Sequence, residues 1–76
     1  MENCTVIIER IINKNDTSKF ERLLQDYYGN LVLEVAESIS SLQAGNSVFA
    51  YFESRELACE FTEKIWDTGA DAQVID

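Results

Sequence analysis

Apolar and polar residues along the chain fall into six segments with two different periods. Thr5 to Ile12 reads Thr-Val-Ile-Ile-Glu-Arg-Ile-Ile, rich in β-branched residues. Val6, Ile8 and Ile12 fall on one alternating set and Ile7 and Ile11 on the other, so a strand in the middle of a sheet is expected. Asn13 to Asp16 is a polar loop. Ser18 followed by Glu21 makes a capping-box pattern, and Phe20, Leu23, Leu24 and Tyr27 then share one helical face. Gly29-Asn30 closes that helix. From Leu31 to about Leu42, Leu31, Leu33, Val35 and Ile39 fall on one side, with Glu34, Ser38 and Ser40 on the other. This pattern predicts a strand with one wet face. Gly45-Asn46 then reads as a hairpin signal leading into the strand Val48–Glu53. Ser54 caps a second helix, in which Leu57, Ala58, Phe61 and Ile65 recur at helical spacing until Gly69. Ala70 to Asp76 makes a short last strand with Ala72 and Val74 inward.

Strand, helix, strand, strand, helix, strand is the order of two split βαβ units. The expectation is an α+β fold, a ferredoxin-like βαββαβ two-layer sandwich filling residues 1–76 as one domain. Its four-stranded antiparallel sheet takes the order 4-1-3-2, with two helices on one face. The predicted core is Val6, Ile8, Phe20, Leu23, Leu24, Tyr27, Leu33 and Val35 from the first half. Val48, Ala50, Phe52, Leu57, Ala58, Phe61, Ile65 and Val74 complete it from the second.

With Val48, Ala50 and Phe52 turned to the helices, Phe49 and Tyr51 face the opposite way, joined by Ile7 on the neighbouring strand, with Ile11 further along. A Phe, a Tyr and one or two Ile make an apolar patch on a sheet face that no helix covers, on the scale that implies a partner or a dimer contact. Phe49-Ala50-Tyr51 resembles the aromatic core of the ribonucleoprotein-1 submotif of RNA recognition motifs, and that resemblance implies exposed aromatics that stack bases. Ser47-Val48 stands where that family has a basic–glycine pair, and Ile7 where it has an aromatic.

Charge changes the picture. Fourteen acids against six bases give a net charge of −8, which repels phosphate backbones and favours a cationic protein partner over direct nucleic-acid binding. The acids are not scattered: residues 53–76 hold seven of them and two bases. Glu56, Glu60, Glu63 and Asp67 are spaced 4, 3 and 4, which sets them in one helical stripe with neighbours roughly 5–6 Å apart at Cβ. Asp71 continues the acidity. Such a row approximates the spacing of phosphates and suits a Lys/Arg groove that otherwise holds nucleic acid.

No histidine is present, and no Gly-rich phosphate loop, Ser/Lys dyad or zinc pattern appears. The chain therefore reads as a non-enzyme with no catalytic residue, metal site or cofactor. Cys4 and Cys59 are the only cysteines and read as small buried thiols. No apolar run approaches the roughly 18 residues of a membrane span, and no leader pattern opens the chain, so a soluble cytoplasmic protein with no membrane partner is expected. The functional expectation is a small acidic protein-binding module that inhibits or regulates a basic, nucleic-acid-handling partner by occluding its binding surface, as phage-type anti-defence inhibitors do. Its contacts are Glu56, Glu60, Glu63, Asp67 and Asp71 for charge and Ile7, Phe49 and Tyr51 for apolar docking. The alternatives are an ACT-like small-ligand regulatory domain and a homodimeric structural module joined through the open sheet face.

Overall fold

The computed structural model describes residues 4–12 and 17–75. Asn13 to Asp16, read as a polar loop, lies outside the described residues. The elements are β1 (Cys4–Ile11), α1 (Ser18–Asp26), a 3-10 turn (Tyr28–Asn30), α2 (Val35–Gln43), β2 (Val48–Phe52), α3 (Arg55–Asp67) and β3 (Ala70–Val74). The three strands form one antiparallel sheet in the order β2-β1-β3. This corrects the four-stranded ferredoxin-like expectation with its two helices and 4-1-3-2 order. Among the described residues there are three α-helices and three strands, and the ACT-like alternative loses the fold on which it rested.

The change is confined to residues 31–43. Val35, Ser38, Ile39 and Leu42 follow the helical i, i+3, i+4, i+7 pattern. Ser38 and Leu42 are buried, with Val35 and Ile39 packed at the core margin. Ser38 fits because it is small, and its hydroxyl donates to the Leu33 carbonyl at 3.4 Å. Gly45 is not a hairpin residue. It ends α2 with φ of 92°, the Gly45 amide donating to Leu42 O (3.1 Å) and the Asn46 amide to Ser41 O (2.8 Å). That pair of bonds is a Schellman closure.

What remains of the expected edge strand is a short strut against β2. Asn30 Nδ2 donates to Tyr51 O at 2.8 Å, Leu31 bridges Ala50, and the Val32 amide donates to Phe49 O at 3.2 Å. At the other sheet edge one outward carbonyl is taken: Trp66 Nε1 donates to Ala72 O at 2.9 Å. Both contacts use backbone groups that an edge strand otherwise offers to another chain.

The pairing register fixes which side chains face the helices. Val6 lies between Ala50 and Val74, and Ile8 between Val48 and Ala72. Val6, Ile8, Val48, Ala50 and Phe52 are all buried. A bulge between Ile8 and Arg10 inserts one residue into β1 and reverses the alternation beyond it. Ile11, expected further along the open face, is therefore buried, and Ile12, which shares the alternating set of Val6 and Ile8, is 62% exposed. Phe20 and Leu24 of α1, Leu42 of α2, and Ala58, Phe61 and Ile65 of α3 complete the core over these strands. Tyr27 meets Phe52 and Phe61 edge-on, at centroid distances of 5.9 and 4.9 Å.

Two smaller expectations also change. Thr17, not Ser18, precedes the first turn of α1, and its carbonyl accepts the Glu21 amide at 2.8 Å. Leu57, expected in the core, is 45% exposed because it sits at the flank of α3. Ser54 caps α3 as expected, its hydroxyl oxygen accepting the Leu57 amide at 3.2 Å.

Candidate functional site

The residues singled out by sequence are brought onto two surfaces, not one. The first is the outer face of α3. Ala58, Phe61, Thr62 and Ile65 turn inward and are buried, with Thr62 Oγ1 donating to the Ala58 carbonyl at 2.8 Å. Glu56, Glu60, Glu63 and Asp67 are all exposed. At about 100° per residue the centres of these two stripes lie about 180° apart, so the acids point directly away from the sheet. From Glu56 to Asp67 the row runs about 16 Å along the helix axis. That is one carboxylate per roughly 5.5 Å along the helix axis, a linear negative field on one side of the molecule.

Lys64 is the cation beside the row. Its ammonium lies 3.4 Å from Glu60 Oε1, donates to the Tyr27 hydroxyl at 3.1 Å, and sits 5.5 Å from the centroid of the Tyr27 ring. The Tyr27 hydrogen bond, with Glu60 adding to it, holds Lys64 above its ordinary pKa. Lys64 is thus committed to the flank where α3 meets α1.

The second surface is the sheet face away from the helices. Phe49 is 38% and Tyr51 51% exposed, and Ile7 is half-buried between Phe49 and Gln73. Pairing adds residues that the sequence reading missed. Val32 follows the inward Leu31 and stands opposite Phe49; Ile75 follows the inward-facing Val74 and donates its amide to Thr5 O at 2.8 Å. They are 55% and 46% exposed. The alternation of Leu31 with Val32 and of Val74 with Ile75 was the available signal.

Asp71 belongs to this second surface. It pairs with Arg10 at 2.8 Å, and Gln73 Nε2 donates to Glu9 Oε1 at 2.8 Å. Asp71 therefore does not extend the α3 row, from which the whole sheet separates it.

A shallow groove of about 280 Å³ runs between α3 and β3, lined by Cys59, Thr62, Trp66 and Val74 with Arg55, Glu63 and Gln73. Cys59 is an exposed thiol, contrary to its expected burial, whereas Cys4 is buried. Among the described residues no three His, Cys, Asp or Glu side chains are grouped to hold a metal ion. No described helix is long and apolar enough to cross a membrane. Comparison of the chain with family models, curated proteins and solved structures finds no match.

Proposed function

We propose that this is an acidic binding module that docks the outer face of α3 against a basic, nucleic-acid-handling protein and so occludes that partner's nucleic-acid surface. The observation that carries this reading is the unbroken exposure of Glu56, Glu60, Glu63 and Asp67 on one helical stripe. Folding does not explain Glu63 and Asp67: like charges three and four residues apart repel, and a carboxylate toward the helix C-terminus opposes the helix dipole. The net charge of −8 supplies long-range steering toward a cation and away from nucleic acid itself. Regulation or inhibition by occlusion, including the phage-type anti-defence role, needs no chemistry from the module. The reading accordingly assigns no catalytic group, metal or cofactor. Asp71 is left out of the docking row because of its pairing with Arg10 across the sheet.

The test is capture of basic proteins from a cation-exchange fraction by the immobilised chain, with Glu60→Lys/Glu63→Lys beside it. Wild type should retain a nucleic-acid-binding protein that is released by about 0.5 M salt, where the Debye length is under about 5 Å. Added competitor nucleic acid should release it too. The double variant should lose it. Identical capture by both chains rules out occlusion by the acidic row.

A further inference from the structure

We infer that the open face of the sheet is a self-association surface, on which a second copy of this chain stacks face to face. Two cross-strand rows make the patch. Val32, Phe49 and Ile7 stand side by side in one, and Tyr51, Thr5 and Ile75 in the next. Four of the six are large apolar side chains between 38% and 55% exposed. Sheet faces of this kind bury each other by stacking about 10 Å apart, the geometry of a β-sandwich.

Charge selects the occupant. The formal charges that the strands place on this face are Glu9, Arg10 and Asp71, which sum to −1, and each already has a partner on the face. A cationic protein finds little here to bind. A second copy, by contrast, can approach this side of a −8 molecule without bringing acidic rows together. With the sheets about 10 Å apart and a helix layer about 10 Å thick on each outer side, the two α3 rows stay on the order of 30 Å apart. That is several Debye lengths at physiological salt.

Edge-to-edge pairing is the other way in which a sheet recruits its own kind. Here the Asn30–Val32 strut occupies the β2 edge and the Trp66 indole takes the outward Ala72 carbonyl on the β3 edge. With outward groups on both edges taken, the face is the favoured route.

Area sets the strength. Four strand positions at about 4.8 Å by five residues at about 3.3 Å give roughly 300 Å² of plane per copy. Stable interfaces bury about 800 Å² per partner. The dimer is therefore concentration-dependent, dissociating in the micromolar range or above, and not obligate.

Salt separates this inference from the function proposed above. Screening weakens an acidic row on a cationic partner, but it strengthens contact between two −8 copies. Sedimentation equilibrium from about 10 μM to about 1 mM, at about 0.05 and 0.5 M salt, should show a monomer–dimer equilibrium that tightens several-fold at the higher salt. Phe49→Ser should weaken it about tenfold or more, because the lost anchor counts once in each copy. Glu60→Gln should leave it in place. Amide chemical shifts followed on dilution should move at Thr5, Ile7, Val32, Phe49 and Tyr51. The circular dichroism of Phe49→Ser, altered at an exposed site, should match wild type. A monomer throughout that range overturns the inference. So do dimers that tolerate Phe49→Ser, and dilution shifts that fall on α3.

Discussion

Removing one charge from the start of the acidic row and one from its interior should change stability in opposite directions. Glu63 has Glu60 three residues before it and Asp67 four residues after it. Each like-charged pair costs about 0.2–0.5 kcal/mol on a helix surface. Glu63→Gln removes both repulsions and lies where the dipole gives a carboxylate no support, so it should stabilise the chain by about 0.7 kcal/mol. For a domain of this size that is a rise in Tm of about 3–5 °C. Glu56 is the acid in the first turn of α3, where the dipole favours it by about 0.3–1 kcal/mol. Its one repulsive neighbour in the row is Glu60, so Glu56→Gln should cost a few tenths of a kcal/mol net. Thermal melts and urea titrations at about 0.05 M salt measure both shifts, and at about 0.5 M both should shrink by more than half. Shifts of the same sign at the two positions, or a stabilisation that survives high salt, would refute the picture of an exposed, self-repelling row. A more stable Glu63→Gln that also captures less of the cationic partner would show the row kept for binding at some cost to folding.

Five further substitutions test the structure more directly. Ile11→Ala, at a side chain only 2% exposed, should cost about 2–5 kcal/mol, while Ile12→Ala, at 62%, should stay within about 0.5 kcal/mol. Equal costs in urea denaturation would remove the bulge in β1. Gly45→Ala has open space for its Cβ but must hold φ near 92°, and so should lose about 1–2 kcal/mol. Gly29→Ala, with open space and no left-handed backbone, should be neutral or gain up to about 1 kcal/mol. The raised pKa of Lys64 means that its bonds to Tyr27 and Glu60 stabilise the fold fully below the unfolded lysine value of about 10.4. That contribution fades as pH rises through the higher folded value. Tyr27→Phe should lower the Lys64 titration midpoint, followed by NMR at its side-chain carbon.

Most of the sheet was legible because its strands alternate cleanly and their neighbours agree. Val48, Ala50 and Phe52 are buried and Phe49 and Tyr51 exposed, as their parity predicts. The segment from Leu31 to Leu42 failed because it satisfies two periods at once. Leu31, Leu33, Val35 and Ile39 alternate, but Val35, Ser38, Ile39 and Leu42 also make a helical stripe. The deciding residues were Glu37 and Ser38. A strand through Leu33 and Ile39 would place Glu37 on its buried side, whereas the helix exposes it. Ser38 read as a solvent residue but is small enough to be buried under α2. Gly45-Asn46 then supported the wrong period, since glycine with a positive φ serves a hairpin and a Schellman closure equally well. The bulge had its own trace in the adjacent polar residues Glu9 and Arg10, two consecutive outward positions inside an apolar run.

The candidate site was legible as residues and not as an arrangement. Helical spacing is local, so the acidic stripe on α3 could be read directly; strand parity is local, so the open face could be read as well. Their relation depends on which sides of a two-layer structure they occupy. The molecule measures about 20 Å across its shorter dimensions, and the acids and the aromatics sit on opposite sides of it. One docking partner therefore does not bury both, and the surfaces should behave as independent sites. Substitutions more than about 10 Å apart with no shared partner add within about 0.5 kcal/mol. At about 0.5 M salt, where repulsion between the acidic copies is screened, Phe49→Ser combined with Glu60→Lys should accordingly lose self-association by the amount Phe49→Ser loses alone. Capture of the cationic partner should fall by the amount due to Glu60→Lys alone. Coupling well above that margin, measured as a double-mutant cycle on either equilibrium, would mean that the partner wraps the chain and that the two faces act as one surface.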